Sequence, residues 1–325
     1  MAKMVLWKWA LLVLLAIQNS ALVVLISHYN RKDTAGRVHP SLMVCWVELF
    51  KLLLSMLIEI ITNGSFTFKG ESFASFFWLL VPAVLYAGQN NLCHLALKHL
   101  SPLIYQVLYQ SKILTTAGFS VLILRKRLSV RQWTALGLLT AGLVFVQFRR
   151  SSDSSVHTGT ETWKGLQALA FAAISSGLAG VFFEYNVKKS SQRRSLWLQN
   201  VILCCFALPI SIILCMGHEE HQRYVPRDAM AWGLIMLQAV SGLLVAVIIK
   251  YLDNILKTFA TGASIVLSAL FSGASEFDLH FWLGTGLVLL SIYLYNTSSS
   301  TSNVIEDDAS RVIRKKRIRR IESGR

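Results

Sequence analysis

The chain has 325 residues, 54% of them hydrophobic and only 15% charged, with a mean hydropathy of +0.51 and a formal charge of +15. Soluble domains carry about 25% charged residues, so a soluble globular protein is excluded and a polytopic membrane protein is expected. The cationic excess does not point to nucleic acid, because it sits in short loops between apolar runs and in the tail Arg311–Arg320, the pattern of orientation signals and of contact with a lipid bilayer bearing anionic headgroups.

Ten apolar segments follow in order, at 6–27, 41–61, 76–97, 102–124, 131–148, 163–186, 196–216, 229–250, 255–274 and 279–296. A bilayer-spanning helix needs about 20 residues. The first run is too long for a leader peptide and lacks a small-residue cleavage site, so it reads as a spanning helix. The second carries Glu48 and Lys51 at i, i+3, close enough to neutralise each other or to meet a ligand. The third holds Tyr86-Ala-Gly-Gln89-Asn90-Asn91, with Tyr86 and Asn90 on one face. Three consecutive amides in a span either tie helices together or read a base or ribose.

The fourth segment is the most informative. As a single helix it would align Tyr105, Tyr109, Lys112 and Thr116 in one stripe by i, i+4, i+7, i+11 spacing. A lysine inside a span costs about 2.5–3.5 kcal/mol on insertion scales, so it must face protein or water. The ninth segment repeats the device with Lys257, Thr261, Ser264 and Ser268. Two cationic stripes suit a polyanion, since an ammonium group binds phosphate as a point charge. Glu59, Glu184, Lys250 and Asp253 fall near segment ends, where snorkelling, gate ion pairs or substrate contact would each explain them.

The sequence from Lys112 to Leu122 resembles that from Lys257 to Leu267, and 257 − 112 = 145 residues separate the lysines. Five segments lie in that interval, so the second half would be inverted relative to the first, as in many transporters. The expected organisation is a first five-helix repeat over 1–148, a polar lumenal connector over 149–162, a second repeat over 163–296 and a basic cytosolic tail over 297–325. With that alternation nineteen of the 32 lysines and arginines lie on the side of both termini, nine on the other and four in or at the ends of spans. The positive-inside rule then places both termini in the cytosol. It also puts the sequons at Asn63 and Asn296 on the unglycosylated side. The five cysteines, Cys45, Cys93, Cys204, Cys205 and Cys215, fall in apolar segments without metal-ligand spacing. No nucleotide-hydrolysis, metalloprotease or nucleophile-elbow motif is present, so neither an enzyme nor a cofactor is expected.

Several ordered motifs carry a family resemblance: Glu48-Leu-Phe-Lys51, Val81 to Asn91, Tyr105 to Thr116, Gly177 to Glu184 and Lys250 to Lys257. They look like those of the pyrimidine nucleotide-sugar transporters, the Golgi carriers of UDP-galactose, UDP-N-acetylglucosamine and CMP-sialic acid in the drug/metabolite transporter superfamily. The resemblance implies an all-α protein of ten transmembrane helices in two inverted repeats. It implies exchange of a nucleotide sugar for its nucleoside monophosphate across the Golgi or ER membrane. By similarity, Tyr86 and Asn90 would meet the base, Tyr105, Tyr109, Lys112 and Lys257 the phosphates and ribose, and Asn200 the base or sugar; Asn91 joins the substrate-binding set as one of the three amides. Cys204, one turn after Asn200, departs from the aromatic or polar residue expected there in the sialate carriers, and a UDP-sugar is the favoured substrate. A CMP-sialic acid carrier is the alternative. A drug or small-metabolite exporter would call for an aromatic, acidic site instead. Candidate protein partners are a second copy of the chain, as a homodimer, or glycosyltransferases.

Overall fold

The computed structural model describes residues 2–30, 40–65, 74–100, 102–148, 160–189, 194–216, 226, 228–271 and 279–297. Every regular element among these residues is a helix. In chain order they are α1 (Ala2–Asn30), α2 (Pro40–Asn63), α3 (Ala74–Phe77), α4 (Leu80–His99), α5 (Pro102–Tyr109), α6 (Lys112–Leu124), α7 (Val130–Phe148), α8 (Thr160–Lys189), α9 (Leu196–Met216), α10 (Ala229–Tyr251), α11 (Asn254–Phe271) and α12 (Leu279–Thr297). Seven stretches are long and apolar enough to cross a membrane, and α2, α4 and α7 add 24, 20 and 19 residues. Large apolar side chains such as Ile61, Leu122, Val130 and Phe271 stand exposed on the outside. In a bilayer that surface faces lipid, and the helices satisfy their own backbone groups. The connector expected at 149–162 lies largely, and the tail after 297 wholly, outside the described residues.

Local chemistry sets the helix ends. Ser129 and Gln132 form a capping box that starts α7: Ser129 Oγ accepts the Gln132 N–H at 3.3 Å, and Gln132 Oε1 accepts the Ser129 N–H at 2.9 Å. Ser195 starts α9 by accepting the Leu198 N–H at 3.0 Å, and its hydroxyl donates to the buried Glu59 carboxylate at the end of α2. Asp228 caps α10 through the Met230 N–H at 3.0 Å.

The fourth apolar segment departs from the single helix expected of it. It is two helices, α5 and α6, joined through Gln110 and Ser111. There the backbone tightens to three-residue hydrogen bonds: Gln110 to Val107, Ser111 to Leu108, Ile113 to Gln110 and Leu114 to Ser111, at 3.0–3.2 Å. That is 3₁₀ geometry, common where a helix changes direction. Lys112 therefore opens α6 rather than sitting in mid-helix, yet the expected neighbours still meet: Lys112 lies over Tyr109, which stacks on Tyr105, and Thr116 Oγ1 donates to the Lys112 carbonyl.

Packing is pairwise and repetitive. Helix α1 contacts α10 and α11, while α8 contacts α4 and α6; α2 contacts α10, while α9 contacts α4; α2 and α9 contact each other. One apolar core joins α6, α7, α11 and α12 through Ile113, Leu139, Leu143, Phe259 and Val288. A second joins α4, α8, α9 and α10 through Leu79, Phe183, Leu198 and Ile249. Gly142 and Gly284 let α7 and α12 meet backbone to backbone, since a Cβ on either would lie 2.7–2.8 Å from the other's carbonyl oxygen.

Candidate functional site

A cavity of about 350 Å³ lies between α1, α2, α4, α8, α9, α10 and α11. Its polar lining is Glu48, Lys51, Tyr86, Asn90, Asn200 and Lys257, together with Gln238 and Ser241 of α10. The Tyr86–Asn90 spacing does what its periodicity promised, putting both side chains on the cavity face of α4. Asn91 lies off that face and donates to the Ala87 carbonyl at 3.2 Å on its own helix. Asn200 is buried, and its Nδ2 has no hydrogen-bond partner among the described residues. An amide left so costs about 1–3 kcal/mol unless water or a ligand fills it.

Two kinds of cation meet in this region. Lys51 is neutralised where it stands, its Nζ lying 2.8 and 3.0 Å from the two carboxylate oxygens of Glu48. Its stem runs along Gly242, where a Cβ would come within 3.0 Å of Cδ and Cε. Glycine is therefore what admits the lysine to the cavity wall. Lys257 has no ion pair among the described residues.

Lys112, Tyr105 and Tyr109, expected at the site from the sequence, are not among the residues that line the cavity. The Lys112 ammonium lies 4.3 Å from the centroid of the Tyr109 ring, a cation–π contact. Tyr105 and Tyr109 stack at 5.4 Å, and Gln89 Nε2 donates to the Tyr109 hydroxyl at 2.8 Å. Lys112 likewise has no acidic partner among the described residues.

The residues expected to form a gate or ion pairs separate into three places. Glu48 and Lys51 belong to the cavity. Glu184 and Asp253 belong to a cluster at the end of the bundle, where the sequence had assigned Lys126 and Lys188 only to orientation. Glu184 is fully buried, with Lys126 Nζ at 2.8 Å and Lys188 Nζ at 2.6 Å. Lys126 also reaches Asp253 at 3.5 Å. Glu184 accepts the Asn254 N–H at 3.1 Å and Asp253 the Leu256 N–H at 2.7 Å, so the two carboxylates cap α11. Lys250 stays outside this cluster, 5.4 Å above the ring of Tyr251.

Gln238 and Ser241 were missed because two uncharged polar residues at i, i+3 are a weak signal in the strongly apolar α10 segment. A signal was nonetheless available in Gln18-Asn19-Ser20, three polar residues within the first span. Gln18 Nε2 donates to the Leu237 carbonyl at 2.8 Å, and Asn19 Oδ1 accepts from Ser241 Oγ at 3.2 Å.

A polar cavity lined by helices from both halves of a multi-pass bundle is the arrangement in which membrane transporters hold their substrates. Comparison with known proteins agrees. The sequence model of the nucleotide-sugar transporter family matches residues 3–296, and the chain belongs to that family. It is 36% identical to a Caenorhabditis elegans UDP-N-acetylglucosamine/UDP-N-acetylgalactosamine transporter over 87% of this chain and 91% of that one. It is 36% identical to the human UDP-N-acetylglucosamine transporter (89% and 94%) and to the human UDP-galactose translocator (92% and 79%). A crystal structure of a protein only 14% identical superposes with a TM-score of 0.66 over 87% of this chain and 95% of its own, a likeness of fold alone.

Proposed function

We propose that the protein carries a UDP-sugar, UDP-galactose or UDP-N-acetylglucosamine, into the Golgi or ER lumen in exchange for UMP. The observation that carries this reading is the cavity itself. It sets Lys257, which has no ion pair among the described residues, beside the phenol of Tyr86 and the amides of Asn90 and Asn200. Phosphate would sit by the lysines and the uracil among the amides. Tyr105 and Tyr109 would hold Lys112 in place. The names of the relatives favour UDP over CMP.

The halves 1–148 and 163–296 would be inverted repeats. Exchanging each helical segment for the one five crossings later, with α5 and α6 counted as one, turns α1·α10 into α8·α4, α1·α11 into α8·α6 and α2·α10 into α9·α4, and α2·α9 into itself. Rocking of such halves about the cavity would open it to one side at a time. The cluster of Lys126, Glu184, Lys188 and Asp253 would be the gate at the cytosolic end, with both termini cytosolic. Purified protein in proteoliposomes, offered a panel of nucleotide sugars, should take up a UDP-sugar several-fold faster with UMP loaded inside than with GMP or buffer. A preference for CMP-sialic acid, or rates indifferent to internal UMP, would overturn the substrate or the antiport respectively.

A further inference from the structure

The polar groups proposed for base and phosphate come from α4, α6, α9 and α11. They leave the α10 wall of the same cavity without a task, although it carries two polar side chains. Gln238 lines the cavity, and its amide makes no hydrogen bond among the described residues. Both its donor and its acceptor are therefore free for a ligand. Ser241, one turn further on, also lines the cavity and gives its hydroxyl proton to Asn19 Oδ1 at 3.2 Å. That leaves its oxygen facing inward as an acceptor.

The wall is also held still. Gln18 grips the backbone one residue before Gln238, through the Leu237 carbonyl, and Asn19 fixes the Ser241 rotamer. Next in line, Gly242 lets the Lys51 stem lie flat, which brings the Glu48–Lys51 pair up against the same patch. An amide with both functions free, an oriented hydroxyl acceptor and a neutral carboxylate–ammonium pair make a surface for vicinal hydroxyls. Such a surface has little pull on a phosphate. UMP has no hexose, so a group that reads the hexose should matter to one exchange partner and not to the other.

We propose that the sugar ring of the substrate seats against α10, with the Gln238 amide and the Ser241 hydroxyl reading its hydroxyl or N-acetyl substituents. This rests on the UDP-sugar reading above. The test uses full-length protein in proteoliposomes and compares KM for the UDP-sugar with KM for UMP in UMP/UMP exchange. Gln238→Ala, and the shape-conserving Gln238→Met, should each raise the ratio of the two KM values about three- to tenfold, the worth of one neutral hydrogen bond. Ser241→Ala should change the preference between UDP-galactose and UDP-N-acetylglucosamine. Ratios unchanged in both Gln238 variants, whether both activities survive or fall together, overturn the proposal. Wild-type protein that exchanges UMP but takes no UDP-sugar overturns the parent reading instead.

Discussion

Four lysines sit in two regions of this molecule under opposite electrostatic conditions. At the bundle end, Lys126 and Lys188 share the buried Glu184, and Lys126 also meets Asp253. Two cations face two anions there, and the carboxylates additionally cap a helix. In the cavity wall Lys257 has no ion pair among the described residues, and Lys112, outside the lining, has no acidic partner among them either. The first region has its charges balanced within the protein. In the second, on the reading proposed above, the balancing anion would be the substrate. The difference teaches that the position of an intramembrane lysine says less about its role than the number of acids within reach.

The comparison breaks most severely at Glu184. Glu184→Gln leaves Lys126 and Lys188 facing each other with half their countercharge gone. Removing one partner from a buried ion pair costs about 3–5 kcal/mol. The detergent-solubilised protein should melt several degrees lower, and UMP should restore little of that loss. An unaltered melting curve would mean that the cluster carries no stability.

The cavity side should respond in the opposite sense. Lys257→Gln removes a charge that has no protein partner, so folding and membrane insertion should hold or improve. Transport should fall about ten- to a hundredfold, the value of a charge-assisted hydrogen bond to phosphate. Lys112→Gln should follow with a similar loss. Uptake near the wild-type rate in both variants would leave the cavity without its proposed phosphate site.

How much of this was legible in the sequence depends on the range of the interaction. Glu48 and Lys51 could be paired from spacing alone, because i, i+3 neighbours meet on any helix. The same holds for Tyr86 with Asn90. The stripe through Tyr105, Tyr109, Lys112 and Thr116 assumed an unbroken period. The turn at Gln110–Ser111 carries neither Gly nor Pro, so nothing in the composition marked it. Lys126 and Glu184 lie 58 residues apart in sequence. Their contact needs the arrangement of α6, α8 and α11 to be known first. Asn19 and Ser241 are further apart still, and a few uncharged polar residues in apolar spans carry too little pattern to pair across the bundle.

A smaller effect sharpens the boundary between the regions. Gly242→Ala places a methyl group about 3.0 Å from the Lys51 stem, which must then move by a few tenths of an ångström. Overpacking of this kind costs about 1 kcal/mol. The strain falls on the Glu48–Lys51 pair, so UDP-sugar uptake should drop by a few fold, less than for Lys257→Gln, with little change in melting temperature. A melting loss as large as that of Glu184→Gln would show that the cavity pair carries the fold as the end cluster does.

The finest prediction concerns the turn that aims Lys126. Arg125 ends α6 in the left-handed region, at φ 53° and ψ 32°, with its N–H bonded to the Ser120 carbonyl. The Lys126 N–H shares that carbonyl at 3.3 Å. This sharp reversal is what sends the next side chain back toward Glu184. A left-handed residue other than glycine costs about 1–2 kcal/mol. Glycine relieves that cost but adds roughly 0.5–1 kcal/mol of unfolded-chain freedom. Arg125→Gly should therefore raise stability by about 1 kcal/mol or less and leave transport unchanged, since Lys126 keeps its direction. Arg125→Val is the counter-test. A β-branched residue resists the left-handed region, so the turn should open and Lys126 should leave its two carboxylates. The valine variant should then melt lower than the glycine variant while its KM for UMP stays that of the wild type. If the two variants melt alike, the turn does not position Lys126, and the cluster is held by Lys188 and the α11 backbone alone.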